Sequence, residues 1–166
     1  MFGKTLQIGL VVDDVEAYMK KYNDVYGIGP WTVYDFNKDN ISNMTVHGKK
    51  EEYTFKVAIC FEFHNMQWEL IEPTSDNSIY SEFLKEHGPG LHHIALSTEN
   101  ADSKENYEDV MLKMAARGIN EIQGGEFALK YTYLDTMKDL GFILEIFNTN
   151  EDYDLPASVG TYPSQK

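Results

Sequence analysis

The 166-residue sequence has only one arginine, Arg117, and a formal net charge of −13 at pH 7. Arginine is the side chain that most often holds a phosphate or carboxylate with two hydrogen bonds. Nucleic-acid binding relies on clustered Lys and Arg side chains. The composition therefore excludes a nucleic-acid partner, and it favours a substrate that is small or largely apolar over one that carries several anionic groups.

Long apolar runs and paired cysteines are also missing. No apolar run approaches the roughly 20 residues that a membrane span requires, so we expect no membrane partner. The first residues run directly into a strand pattern, and we expect no signal peptide. The single cysteine, Cys60, cannot form an internal disulfide and fits a buried core position. We therefore expect a cytoplasmic protein.

The order of the predicted elements repeats along the chain. Each half begins with a short apolar strand, continues through an amphipathic helix and several strands, and closes on an apolar strand that contains one glutamate. We interpret the chain as an α+β protein of two βαβββ modules that form a curved mixed sheet around a central metal or ligand cleft. The modules span residues 1–87 and 88–148, and a polar C-terminal tail spans 149–166.

Two polar segments lack a strand or helix pattern. Residues 37–50 combine Asn, Asp and Ser with a Gly-Lys-Lys sequence, and we expect them to form a mobile loop. The tail is either disordered or draped over the body of the protein.

Each half carries one polar side chain in its first strand and one glutamate in its last strand. The pairs are Gln7 with Glu69 and His93 with Glu145. Taken singly, each residue has an ordinary alternative: a strand position that faces solvent for Gln7 or a glutamate, and a hydrogen-bonded core histidine for His93. A carboxylate buried among apolar residues is costly unless it meets a cation or strong donors. The matched pattern in both halves favours a shared functional site.

Four strands from two related units can bring these side chains to one point. Three oxygen donors and one imidazole nitrogen suit one divalent metal, such as Zn²⁺, Co²⁺, Ni²⁺, Mn²⁺ or Fe²⁺. A metal there can polarise a substrate carbonyl. A carboxylate, Glu145 or Glu69, can then act as the general base that removes the adjacent proton.

Four segments carry a resemblance to a known family: 7–16 (QIGLVVDDVE), 69–73 (ELIEP), 90–95 (GLHHIA) and 141–146 (GFILEI). They resemble the vicinal oxygen chelate superfamily, which includes glyoxalases, methylmalonyl-CoA epimerases, extradiol dioxygenases and bleomycin-resistance proteins. The resemblance covers residues 5–148. It implies metal ligands at Gln7, Glu69, His93 and Glu145, a set that is similar to that of some lactoylglutathione lyases.

Within that superfamily, ELIEP and GLHHIA resemble the methylmalonyl-CoA epimerase branch most. The arginines expected to hold glutathione in a lyase appear as Val11 and Pro89. The iron of an extradiol dioxygenase requires two histidines and one carboxylate, and Gln7 removes one histidine. The near absence of arginine disfavours an acyl-CoA substrate, because only lysines are left to bind its phosphates. These are Lys49, Lys50, Lys56 and Lys130.

Aromatic side chains are concentrated on the predicted strands. Ordinary sheet packing explains them most simply. The alternative is that some line a wide pocket for a bulky, apolar or ring-containing substrate. The candidate pocket residues are Phe55, Phe61, Phe63, Phe127, Tyr131 and Tyr133. Strand alternation predicts that His92 points to the face opposite His93.

We therefore expect a homodimeric, divalent-metal-dependent epimerase, isomerase or lyase. It would abstract a proton next to the carbonyl of a small-molecule substrate, as the resemblance to methylmalonyl-CoA epimerases and glyoxalases implies. The alternative is a non-catalytic small-molecule-binding protein of the drug-resistance type, which the aromatic strands favour and the carboxylate pair disfavours. A third interpretation is a purely structural protein whose acidic surface serves a partner.

Overall fold

The computed structural model describes residues 2–63, 65–98, 106–127, 129–148 and 155–164. The first elements are β1 (Thr5–Val11), α1 (Val15–Tyr26), β2 (Trp31–Phe36), β3 (Ser42–Val46), β4 (Lys49–Lys50), β5 (Phe55–Phe63), β6 (Met66–Pro73) and α2 (Ile79–His87). They are followed by β7 (Gly90–Leu96), α3 (Tyr107–Ala116), β8 (Glu121–Glu126), β9 (Lys130–Leu134), α4 (Met137–Leu140), β10 (Ile143–Phe147) and β11 (Gly160–Tyr162). No helix in the described ranges is long and apolar enough to cross a membrane.

The strands form one mixed sheet in the order β11-β2-β5-β6-β1-β7-β10-β9-β8-β3-β4. At its centre, β1 pairs in parallel with β6, and β7 pairs in parallel with β10. The first strands of the two halves, β1 and β7, pair with each other in antiparallel orientation. This architecture confirms the α+β prediction, and it places the strands that contain the four candidate ligands side by side.

The start of α1 is fixed by two carboxylates. Asp14, directly before α1, accepts a hydrogen bond from the Ala17 amide at 2.9 Å, and Glu72 accepts one from the Val15 amide at 2.8 Å. Both satisfy N–H groups that have no partner within the helix, and both complement its positive end. Gly27 ends the helix with a positive φ of 69°. The turn from β1 into α1 is therefore well defined.

The two faces of the sheet bury different apolar clusters. Val57 and Ala58 are neighbours in β5, yet they belong to separate clusters because strand side chains alternate between faces. One face is covered by α1, which packs Val15 and Met19 against the cluster that contains Cys60. The other face carries the largest cluster, to which α2 contributes Ile79 and Tyr80. The candidate site opens on this second face.

The predicted mobile loop at 37–50 is wrong, because most of it is a β-hairpin. β3 pairs with β4, and β3 also pairs with β8 at the far side of the sheet. His47 and Gly48 have positive φ values of 48° and 74°, as a tight two-residue hairpin turn requires. Met44 and Val46 alternate inward into the largest cluster, while the polar residues of this edge hairpin face outward. Most side chains of this hairpin are polar and exposed, so the sequence lacks the clear apolar alternation that predicts a strand.

The described part of the tail contacts the body of the protein. β11 pairs with β2 in antiparallel orientation. The Tyr162 hydroxyl donates to the Asp24 carboxylate at 2.9 Å, which ties the tail to α1. Leu155 packs against the largest apolar cluster. For residues 155–164, the structure therefore favours the draped alternative.

Candidate functional site

Gly9 lies between two of the candidate ligands at the centre of the sheet. In the strand register it is opposite Glu69 on β6 and opposite His93 on β7. The His93 ring occupies the space where a side chain at position 9 would lie: an added Cβ would fall 1.8 Å from His93 Cε1. The absence of a side chain at Gly9 therefore lets the imidazole pack directly against β1.

Ala95 has the equivalent place in the second half. It is opposite Gln7 on β1 and opposite Glu145 on β10. The repeated unit is thus a ligand candidate, an isoleucine and a small residue: Gln7-Ile8-Gly9 and His93-Ile94-Ala95. The small third residue is a signal in the sequence that marks where a neighbouring side chain needs room.

Glu69, His93 and Glu145 converge in space. His93 Nε2 lies 3.2 Å from a Glu69 carboxylate oxygen and 3.3 Å from a Glu145 carboxylate oxygen. These three atoms are buried, and none has a hydrogen-bond partner of good geometry within the described part of the chain. Gln7, which is 5% exposed, lines the same cavity as the two carboxylates. We call Gln7, Glu69, His93 and Glu145 the central cluster.

Two contacts within the central cluster have the spacing expected of donor atoms that share a divalent cation. Two donors that each lie about 2.1 Å from one ion, at 90 to 109° to each other, are separated by about 3.0 to 3.4 Å. The two contacts of His93 Nε2 fall in this range. Among the described residues, no group of three or more His, Cys, Asp or Glu side chains is arranged so that it could hold a metal ion without moving. A cation would therefore have to replace the direct contacts between imidazole and carboxylates.

Burial and charge set the protonation of the central cluster. Burial raises the pKa of Glu145 to about 7, and the Glu69 charge acts in the same direction, whereas His93 and a hydrogen bond from Tyr133 oppose them. Burial lowers the pKa of His93, but the charges of Glu145 and Glu69 outweigh it and leave this pKa above its ordinary value. Without a cation, the cluster therefore holds protons near neutral pH.

Two tyrosines extend the hydrogen-bonding network behind Glu145. The Tyr80 hydroxyl donates to the Tyr133 hydroxyl at 3.0 Å, and Tyr133 is hydrogen-bonded to Glu145. Burial, and next the Glu145 charge, raise the pKa of Tyr133 well above its ordinary value, so its hydroxyl stays protonated and can donate. Sequence reasoning proposed Tyr133 for the pocket but missed Tyr80, which reaches the site from α2.

His92 does not point to the face opposite His93, so that prediction is wrong. Its Nδ1 lies 3.0 Å from His93 Nδ1, and its ring packs against Tyr80 and Phe83. The cause is a β-bulge: the register between β1 and β7 shifts between Gly9 and Leu10, and the extra residue breaks the alternation. His92 therefore supports the His93 ring from behind.

A cavity of about 300 Å³ lies against the central cluster. Its lining residues are Gln7, Phe36, Phe55, Ile59, Gln67, Glu69, Tyr80, Phe127, Leu129, Tyr131, Tyr133, Glu145, Phe147 and Leu155. Of the six residues proposed for the pocket, Phe55, Phe127, Tyr131 and Tyr133 line this cavity. Phe61 packs against the largest apolar cluster without lining the cavity. The side chain of Phe63 lies outside the described residues.

Comparison with known proteins gives the family. The sequence profile described as the Glyoxalase/Bleomycin resistance protein/Dioxygenase superfamily matches residues 6–130. The chain belongs to this superfamily. No curated protein matches the sequence.

Solved structures of similar fold share little sequence with this superfamily member. A hypothetical protein from Bacillus halodurans is 19% identical, with a TM-score of 0.62 over 92% of this chain and 98% of the other. Methylmalonyl-CoA epimerase from Mycobacterium tuberculosis is 14% identical, with a TM-score of 0.59 over 88% and 87%. A Streptomyces coelicolor methylmalonyl-CoA epimerase variant in complex with 2-nitronate-propionyl-CoA is 19% identical, with a TM-score of 0.62 over 94% and 100%. At these identities the likeness concerns the fold alone.

Proposed function

We propose that this protein is a divalent-metal-dependent enzyme that abstracts a proton next to the carbonyl of a small-molecule substrate, as an epimerase, isomerase or lyase. The observation that carries the proposal is the convergence of Glu69, His93 and Glu145 at one end of a cavity, with three buried polar atoms that lack good hydrogen bonds. Burying such groups without a partner is costly, and a cation would satisfy all three. The homodimer and the cytoplasmic location stay predictions.

In the proposed mechanism, the four residues of the central cluster would hold the metal. A bound divalent cation would polarise the substrate carbonyl and stabilise the negative charge that develops on its oxygen. Glu145 lines the cavity and accepts the proton from the adjacent carbon. Tyr133 donates a hydrogen bond to Glu145, which holds the carboxylate in place as it gains the proton.

The two carboxylates allow more than one outcome for the abstracted proton. Glu69 projects from β6 and Glu145 from β10, so they approach the cavity from opposite sides of the β1–β7 pair. If the second carboxylate returns a proton to the other face of the same carbon, the reaction is an epimerisation. If a carboxylate returns the proton to a neighbouring atom instead, the reaction is an isomerisation. The methylmalonyl-CoA epimerases of similar fold favour the first outcome.

The test measures metal content and proton exchange together. Protein incubated with Zn²⁺, Co²⁺, Ni²⁺ or Mn²⁺ should retain one ion per chain by mass spectrometry, and the Glu69→Ala plus Glu145→Ala variant should retain none. In heavy water, the loaded protein should exchange the methyl protons next to a carbonyl of methyl phenyl diketone, followed by NMR, and methylmalonyl-CoA serves as the thioester for comparison. We expect Glu145→Gln to slow this exchange by roughly 100-fold or more.

Glu126→Gln serves as the control, because Glu126 is a glutamate at the end of β8 that does not line the cavity. It should leave both measurements unchanged. The catalytic proposal is refuted if the Glu145→Gln variant exchanges protons as fast as the unmodified protein. It is also refuted if the unmodified protein retains no metal.

The aromatic walls of the cavity favour a second candidate function, the sequestration of a small apolar ligand without catalysis. Phe36 stacks on Phe55 with ring centroids 5.1 Å apart and contacts Phe127 at 5.2 Å. Such a protein would bind an aromatic compound tightly in the metal-free state and form no product.

A further inference from the structure

The cavity has polar groups at one end and aromatic walls elsewhere. Within the described lining, the polar groups without strong internal partners belong to the central cluster and to Gln67, which accepts a long hydrogen bond of 3.4 Å from Gln7. The Tyr131 hydroxyl is already engaged with the Tyr53 hydroxyl at 2.6 Å. The remaining wall consists mainly of phenylalanine and aliphatic side chains. A fitting ligand has oxygen atoms at one end and an apolar body.

No lysine or arginine contributes to the described lining of the cavity. Lys56 and Lys130 are each adjacent in sequence to a lining residue, but they pair instead with Glu16 at 3.8 Å and with Glu126 at 3.7 Å. A divalent cation in the central cluster would be neutralised by the carboxylates of Glu69 and Glu145. A carboxylate on the substrate would therefore add an uncompensated negative charge between apolar walls, which is unfavourable. The net charge of −13 also opposes the approach of polyanions.

The cavity volume limits the size of the ligand. A cavity of about 150 Å³ in another protein holds one benzene molecule. The volume of about 300 Å³ here leaves room for a substituted single ring or a fused pair of rings. Its walls offer stacked and tilted phenylalanine rings at 5.1 and 5.2 Å, a geometry that favours aromatic ligands.

Resting on the proposed function, we infer that the substrate is an uncharged, ring-bearing carbonyl compound, and that acyl-CoA thioesters and free carboxylates are discriminated against. The carbonyl oxygens face the central cluster, and the ring lies against the wall that Phe36, Phe55 and Phe127 form. This substrate class separates the protein from the methylmalonyl-CoA epimerases that share its fold.

A matched pair of probes tests the inference. Methyl phenyl diketone and phenylglyoxylate have nearly the same size and differ in whether a methyl group or a charged oxygen ends the molecule. Calorimetry with the metal-loaded protein should give a dissociation constant at least about tenfold lower for the diketone than for phenylglyoxylate or propionyl-CoA. Phe127→Ala should weaken diketone binding by about fivefold or more, because Phe127 is part of the wall.

Phe61→Ala is the matched control, since Phe61 is a half-buried phenylalanine outside the lining. It should bind the diketone as the unmodified protein does. Phe127→Lys should reverse the preference towards phenylglyoxylate by supplying the missing cation. Tighter binding of phenylglyoxylate or propionyl-CoA to the unmodified protein would overturn the inference, even if proton exchange is observed. Preferred diketone binding without proton exchange would instead uphold the chemical class as that of a bound ligand and refute the catalytic function.

Discussion

At the scale of single residues, the site depends on a side chain that is missing. The His93 ring fills the space beside Gly9, and this contact aims Nε2 at the two carboxylates. His92 closes the other side of the ring through its Nδ1. His93 is thus held between a glycine on one strand and a histidine at a bulge on its own strand.

Gly9→Ala should therefore impair metal binding, because its Cβ would overlap the His93 ring and displace the imidazole. We expect the affinity for Zn²⁺ or Co²⁺, measured by calorimetry, to fall about tenfold or more. Gly90→Ala is the control: Gly90 also lies in a central strand, but an added Cβ there meets no atom within 4 Å. Equal metal affinity of the two variants would contradict this role of Gly9.

The protonation of the central cluster predicts how the metal-free protein responds to pH. Glu145 has a pKa raised by burial from 4.5 to about 7 in the folded protein, so the folded state binds a proton more tightly than the unfolded state. The His93 pKa is also raised. For both groups, this stabilisation is present at low pH and is lost as the pH rises through the folded-state pKa.

We therefore expect the urea-unfolding free energy of metal-free protein to decrease as the pH rises from 4.5 to about 7. Glu145→Gln should flatten this dependence, because it removes the group with the raised pKa. An unchanged pH profile in this variant would show that Glu145 does not titrate in this range.

Much of the central cluster could be predicted from the sequence, because Gln7, Glu69, His93 and Glu145 recur at matching places in two halves. Their strands do lie side by side. The position of His92 could not be predicted, since a bulge depends on how two strands pair and not on the residues of one strand. Tyr80 was missed because its helix reaches the site only through tertiary packing.

At the scale of elements, the β3–β4 hairpin joins the two halves. It is part of the first half of the sequence, but β3 pairs with β8 of the second half. The Tyr53 hydroxyl, shortly after β4, donates to the Gly124 carbonyl of β8 at 2.9 Å. The sequence pattern could not indicate this pairing, because the strands are short and mostly exposed and their partner lies far along the chain.

Gly48→Ala should destabilise the protein by about 1 kcal/mol, because an alanine is strained at the positive φ of the hairpin turn. Urea titration measures the change. Gly160→Ala, at a β11 glycine with no positive φ and no atom within 4 Å of an added Cβ, should leave stability nearly unchanged. An unaltered midpoint for Gly48→Ala would mean that the hairpin contributes little to folding.

At the scale of the whole molecule, the two proposed modules form one continuous sheet. We propose boundaries at residues 1–87 and 88–148, yet β1 pairs with β7 across that boundary and β3 pairs with β8. The cavity is lined from both sides of the boundary as well, by Phe55 and Tyr133 among others. Each half therefore supplies strand partners and part of the cavity wall that the other half lacks.

The fragments 1–87 and 88–148 should consequently fail to fold alone, because each would expose an apolar central strand edge and half of the cavity wall. Circular dichroism of the separate fragments should lack cooperative thermal unfolding. A mixture of the two should recover it at least in part. Cooperative unfolding of either fragment by itself would show that the modules are independent domains.

The central pairing of β1 with β7 also sets an order of events during synthesis. β1 is synthesised before α1 and the other strands of the first half, and its antiparallel partner β7 follows only after all of them. β10, which carries Glu145, comes later still. Throughout this interval the nascent chain presents an unpaired apolar strand edge, a surface that invites aggregation. Because the site is built at the midline of the sheet, its strands reach their final pairing only once β10 has been made, and the nascent chain is exposed to aggregation until then.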